Sequence, residues 1–454
     1  MSDLETRLDW SAYKDAGMGD AYADIPKHGG DYAKAIAACI NSRQCEADGK
    51  QVMCPSYRVS GNPNLSTSGR VKLLKAALSQ DQDSQPLLAP ELQQAMDLCV
   101  SCKGCKRECE SNVDMPLIKA EYLAQRRQQQ GLSLRSRLFA QLPKWLFKAP
   151  WLRYLIQWRN QSRLLSELSQ KLLGLNAKVP LPLPAANPFP GSITNTNAGV
   201  NDTRTVFLFV DTFTRYFEPQ IAVAASAVLE QAGYQVQSIS PADSERPLCC
   251  GRTYLAQGMI AEARAEAKRM LDALLPHLKA GATVVGLEAS CVLGLRDDAQ
   301  ALGLGDDAKL MGKQVLLLEE FLAKESKSSE FGLNLTTPTQ PTLVHGHCHQ
   351  KATGAMKAVR RVLKSIPDHS FDFIDSSCCG MAGTFGLEAE HHEYSEKMIN
   401  QGLLAAVLDH PEHTLVANGF SCRQQILNYS GKRPLHLAEL LAAHLEQPST
   451  DSNI

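Results

Sequence analysis

From residue 205 onward, short apolar runs alternate with longer stretches whose apolar residues recur every three or four positions. The short runs read as strands buried on both faces, and the longer stretches read as amphipathic helices. The pattern then repeats in the same order. The first copy has a strand at 206–210, a helix at 219–232, a strand at 235–239 and Cys249-Cys250-Gly251. A helix at 259–278, a strand at 283–287 and Ser290-Cys291 follow, and the copy closes on apolar 315–322. The second copy has a strand at 342–345, a helix at 352–366, a strand at 371–374 and Cys378-Cys379-Gly380. A helix within 388–408, a strand at 414–418 and Ser421-Cys422 follow, with a close at 435–441. Forty residues separate Cys250 from Cys291, and 42 separate Cys379 from Cys422. Alternating strands and helices predict parallel α/β layers, with ligands held at the carboxyl ends of the strands.

The half before this is patterned differently. Residues 1–30 read as a polar tail. Residues 31–131 hold seven cysteines, with helices expected at 70–77 and 115–129 after the cysteine runs. Residues 132–204 read as a helical arm, interrupted by Pro143 and Pro150, and then a Pro/Asn-rich linker. The predicted fold class is therefore mixed: an α-helical dicluster ferredoxin-like domain (31–131) followed by two repeated α/β cysteine-rich domains (205–325 and 340–445). The arm mixes Trp, Leu and basic residues. That mixture suits docking at a membrane surface or on a partner, or an arm packed on the rest of the chain.

Composition narrows the chemistry. A formal net charge of −1 over 454 residues argues against a nucleic-acid partner. The opening residues are polar and no apolar run is long enough to span a bilayer, so a cytoplasmic protein is expected. In that compartment 14 cysteines read as metal ligands and not as disulfides.

Cys99, Cys102, Cys105 and Cys109 are spaced C-x2-C-x2-C-x3-C, the ligand run of a bacterial-type [4Fe–4S] site. In such runs the fourth cysteine serves the other cluster. Upstream, Cys39, Cys45 and Cys54-Pro55 keep the first, third and fourth positions of a second run, with Ser42 at the second. The crossed arrangement then assigns Cys99, Cys102, Cys105 and Cys54 to one cluster. Cys39, Cys45 and Cys109 hold the other, one thiolate short. That deficit leaves a [3Fe–4S] centre, a [4Fe–4S] centre completed by Ser42, another side chain or water, or no cluster. In the second repeat, Cys348, Cys378, Cys379 and Cys422 make four thiolates. The first offers Cys249, Cys250 and Cys291. Both sets suit a further iron–sulfur centre or zinc. His345, His347 and His349 alternate around Cys348; on a strand they share one face and serve as hydrogen-bond donors or proton carriers around the ligands. No G-x-G-x-x-G or other flavin fingerprint occurs, so no FAD is expected in this chain.

Paired Cys-Cys-Gly motifs, each with a later cysteine, resemble the cysteine-rich domain found in heterodisulfide reductases and in the glycolate oxidase iron–sulfur subunit. The stretches 97–109, 53–57, 209–213, 248–254 and 346–351 further resemble the iron–sulfur portion of bacterial FAD-linked oxidases of D-2-hydroxy acids such as D-lactate or D-2-hydroxyglutarate. The resemblance implies an iron–sulfur subunit that relays electrons from an FAD-binding dehydrogenase subunit to quinone or another carrier, at the inner face of the membrane. It also leaves a heterodisulfide reductase-like catalytic subunit or a zinc-binding docking module as alternatives.

Overall fold

The computed structural model describes residues 4–17, 24–47, 52–81, 84–191, 204–241, 243, 246–328 and 331–446. Among these residues, seven parallel strands form two sheets. The first contains β1 (Thr205–Phe209), β2 (Gln235–Ser238), β3 (Thr283–Gly286) and β4 (Val315–Leu317), in the order β2-β1-β3-β4. The second contains β5 (Thr342–His345), β6 (Phe371–Phe373) and β7 (Thr414–Ala417), in the order β6-β5-β7. The registers correspond: Val206 pairs with Val236 and Thr283, and Thr342 pairs with Phe371 and Thr414. Where β4 lies in the first sheet, the second has a single parallel bridge, Val416 to Leu435. The helices between strands cover the faces that parallel pairing leaves apolar.

Helix Gln220–Gln231 packs against helix Leu437–Ala443, and one apolar core runs through Leu208, Val285, Val344 and Val416. A buried ion pair locks the join. Arg423 Nε meets Glu218 Oε1 and Oε2 at 3.1 and 2.9 Å, and its Nη1 donates to the Ala417 carbonyl at the end of β7.

The amino-terminal half is helical. Ser66 caps helix Thr67–Ser79 by accepting from the Gly69 amide, and Asp114 caps helix Met115–Gln130 through Leu117. Both helices run a little beyond the limits expected from sequence. Part of the expected polar tail is docked. Leu8 and Trp10 are buried, and the Arg7 and Leu8 amides with the Trp10 indole donate to the buried carboxylate of Glu121. A local polar count misses this because the binding partner lies more than 100 residues away. The arm forms four helices, Leu134–Ala140, Leu142–Lys148, Leu152–Gln161 and Arg163–Leu173; Pro143 sits in a first turn and Pro150 between two helices. Residues 192–203 of the linker lie outside the described residues. Among the described residues, no helix is long and apolar enough to cross a membrane.

Candidate metal centres

Every cysteine of the two repeats lies just beyond a strand's carboxyl end. Cys249 and Cys250 follow β2, Cys291 is in the first turn of helix Ala289–Arg296 after β3, and Cys348 opens helix Cys348–Thr353 after β5. Cys378 and Cys379 follow β6, and Cys422 lies in the first turn of helix Phe420–Ser430 after β7. The glycine after each Cys-Cys pair has a left-handed backbone: φ is +80° at Gly251 and +92° at Gly380. A Cβ at Gly380 would lie 2.4 Å from the Ser395 carbonyl oxygen, so the turn that brings both thiols together needs glycine.

Cys348, Cys378, Cys379 and Cys422 form one buried chain of thiols. Cys378 and Cys348 share a hydrogen bond that lowers the Cys348 thiol to about 6. Cys379 pairs with Cys378 and Cys422, and those hydrogen bonds drive its thiol down. In the first copy, Cys250 Sγ is 3.1 Å from Cys291 Sγ, and Cys249 pairs with Cys250. Here the cap of the helix after β1 is Asp211, which accepts from the Phe213 and Thr214 amides. Burial and Glu288 raise its carboxyl to about 6, and its charge acts on Cys291.

In the helical half, Cys54, Cys99, Cys102 and Cys105 line a single cavity together with Thr67, Arg70 and Lys103. These are the four cysteines that the crossed spacing groups together. Ser101 and Lys103 take positive φ, 50° and 62°, turning successive amides into the loop, a backbone form that suits anionic iron–sulfur groups. The Thr67 amide donates to Cys54 Sγ at 3.1 Å, and the Ser68 amide to Cys45 Sγ at 3.4 Å. Gly104 fits where a Cβ would lie 2.8 Å from Met53 Cα. Cys39 and Cys109 are half-buried and lie within electrostatic range of each other and of Cys45. The partition between the two sets is not clean: Cys54 also hydrogen-bonds Cys45, which lowers the Cys45 thiol to about 6. Ser42 is exposed.

The three histidines do not share a strand face. β5 ends at His345, and the chain turns at once into helix Cys348–Thr353, with His347 as its cap. His345 Nδ1 pairs with Ser376, and His347 Nδ1 accepts from the His349 amide. His349 Nε2 meets the Ser101 carbonyl at 3.0 Å. The alternating spacing suggested a strand, but the cap ends it two residues early. Burial holds His345 down to about 3, and its Nε2 lacks a partner, as does His349 Nδ1.

Sequence reading missed the polar junction that joins these loops. Lys103 bridges Asp297 (2.5 Å) and Asp298, and Arg252 reaches Asp298 (2.8 Å) and His349 (3.3 Å). Buried Arg70 donates to the Ala95 carbonyl and the Ser56 hydroxyl, and its charge favours ionised Cys99. A basic residue inside a cysteine run was the only local signal. Cys102 packs with Cys348 and Val52 in one buried cluster, so the cavity and the second repeat's thiols are neighbours.

The donor sets fit soft metal centres: eleven of the fourteen thiols are buried, they group by threes and fours, amides donate to sulfur, and His345 Nε2 and His349 Nδ1 are orphaned.

Glu319, buried in helix Leu318–Glu325, accepts from Gln350 beside Cys348. Burial raises its carboxyl from 4.5 to about 7. The folded state therefore favours the protonated acid. Its stabilisation is complete below the unfolded value and is lost as pH rises through about 7, about 3 kcal/mol in all. Glu319→Gln is expected to flatten this part of the stability curve in urea titrations from acid to alkaline pH. An unchanged pH dependence would contradict it.

The profile of the 4Fe-4S dicluster domain family matches residues 35–113. That span contains both amino-terminal cysteine runs. The chain carries a 4Fe–4S dicluster domain. It is 25% identical over 442 residues to the D-2-hydroxyglutarate dehydrogenase of Escherichia coli K12, covering 87% of this chain and 42% of that protein. It is 23% identical over 431 residues to the glycolate oxidase iron-sulfur subunit of the same organism, covering 91% and 95%. A third relative is one of the subunits of the anaerobic glycerol-3-phosphate dehydrogenase of E. coli K12, 25% identical over 245 residues, covering 53% and 59%. The chain spans less than half the length of the D-2-hydroxyglutarate dehydrogenases it matches. These relatives are oxidoreductases or subunits of oxidoreductases.

Proposed function

We propose that this chain is an electron-transfer subunit. It takes electrons from an FAD-binding dehydrogenase that oxidises a 2-hydroxy acid and passes them to quinone or another carrier. The observation that carries this reading is the packing of Cys102 against Cys348, which makes separate thiol sets into a row. Cys39 and Cys109 are the half-buried members of the set with Cys45, and a partner's flavin can approach there. Cys54, Cys99, Cys102 and Cys105 lie in the middle, and Cys348, Cys378, Cys379 and Cys422 lie beyond. Iron–sulfur centres bound to these thiolates supply one-electron chemistry.

The protein's part is to hold and tune. Amides of Thr67, Ser68 and Gly380 donate to sulfur, which stabilises added negative charge and raises the reduction potential. Arg70 and Lys103 place positive charge beside the middle set. The Lys103–Asp297–Asp298–Arg252 junction ties the helical half to the first repeat, and Arg252 reaches His349 of the second.

The test is anaerobic mixing with a purified FAD-linked 2-hydroxyacid dehydrogenase, in the presence of its hydroxyacid. Bleaching of the iron–sulfur absorbance on this chain is expected within the turnover time. Loaded centres that stay oxidised while the flavin is fully reduced would overturn the proposal.

A further inference from the structure

The helical arm carries chemistry that the electron relay does not use. Between residues 131 and 178 it carries nine Lys or Arg and one acidic residue, in a chain whose net charge is −1. Arg135 pairs with Glu390, Arg163 with Glu167, and Arg159 donates inward to the Val179 carbonyl, so six further basic side chains lie on this stretch, one of them, Lys144, over the Tyr254 ring. Three of the chain's four tryptophans lie here with their rings in the open: Trp145 is 41% exposed, Trp151 59% and Trp158 64%. Tyr154 is 69% exposed. Amphipathic aromatics among basic residues are the composition of a surface that sits at an anionic bilayer.

A cavity of about 310 Å³ opens within this surface, at the small end of the range for small-molecule sites. Phe147, Trp151 and Tyr154 line it from the arm, and Ala185, Pro188 and Tyr216 line it from the facing side. That facing wall is fixed: the Ala185 amide donates to the Tyr216 carbonyl at 2.7 Å, and the Phe189 amide to Arg215 at 2.9 Å. Arg153, also in the lining, brings a guanidinium that gives one N–H to the Pro184 carbonyl.

Tyr216 ends helix Thr212–Tyr216, and the cap of that helix, Asp211, acts on Cys291. At about 1.5 Å per residue the helix spans only about 7 Å. The cavity thus adjoins an apolar, basic face and reaches the helix that follows β1 of the first repeat.

We propose that this cavity binds a lipid-soluble quinone, with the ring between the Trp151 and Tyr154 side and the Ala185–Tyr216 wall. A flat aromatic wall suits a redox ring, Arg153 suits its carbonyl oxygen, and the basic arm suits the bilayer from which it comes. The proposal rests on the electron-transfer reading above. Reduction takes two electrons from the cysteine-held centres, refilled by the flavoprotein, and two protons from solvent, converting both ring C=O groups to C–OH.

The test uses the full chain, purified without oxygen, titrated with decyl-ubiquinone while tryptophan emission is read. Saturable quenching is expected. Ala185→Leu, which fills the cavity, is expected to weaken binding at least about tenfold at unchanged far-ultraviolet dichroism, and Trp151→Phe to remove much of the quenching amplitude. Quenching that does not saturate, that survives both substitutions, or that decanol displaces as well as the quinone would overturn the proposal. Iron and bleaching by the flavoprotein are read on the same sample. If centres load and bleach but quinone does not saturate, only the pocket assignment fails. If they do not load, the electron-transfer reading fails with it.

Discussion

Cys102→Ser is expected to remove about four irons and four sulfides per chain, the content of one cubane, and to stop electron flow through the protein. Serine keeps the size of the side chain but replaces a soft thiolate with a poorly ionised hydroxyl. Cys102 is buried and lines the cavity with Cys54, Cys99 and Cys105, so no outside ligand substitutes easily. It also lies against Cys348, so its loss breaks the row at its narrowest point. The outer set, Cys39, Cys45 and Cys109, is expected to stay. Paramagnetic resonance of the reduced variant should therefore keep one signal and lose another. Retention of the full iron content with both signals would remove Cys102 from the ligand set.

Glu218→Gln is expected to cost about 3–5 kcal/mol of stability, because it leaves Arg423 charged and buried without its partner. Both side chains are almost wholly enclosed, at 7% and 3% exposure. They join the turn between helices Thr212–Tyr216 and Gln220–Gln231 to the helix after β7, so the loss falls on the interface between the two sheets. Replacing both, with Glu218→Leu and Arg423→Met, is expected to recover part of the loss, since the pair is removed together while buried Glu288 loses the charge of Arg423. The midpoint of urea unfolding under anaerobic conditions measures both. A single substitution costing less than about 1 kcal/mol would show the pair to be solvated and not buried.

Much of this architecture was legible in the sequence because it is local. The apolar runs that become β1, β3, β5 and β7 are buried on both faces and carry no competing pattern. The cysteine spacing grouped Cys54 with Cys99, Cys102 and Cys105 because cluster geometry constrains intervals between ligands. His345, His347 and His349 misled because alternation and a helix cap look alike over five residues. The docking of Leu8 and Trp10 on Glu121 left no local trace, nor did the bonds from Lys103 to Asp297 and Asp298. Charge partners nearly 200 residues apart have no period to read. The link from Cys45 to Cys54 was hidden for a different reason: the two thiols were assigned to different sets, and only folding shows how close those sets lie.

The most direct measurement is the iron, zinc and acid-labile sulfide content of the full chain purified without oxygen, with its paramagnetic resonance after reduction. The account predicts at least about four irons with matching sulfide from the cavity set alone, and more as the outer set and the second repeat load. A colourless protein with no sulfide, or with zinc in place of iron on the Cys54, Cys99, Cys102 and Cys105 set, would contradict it.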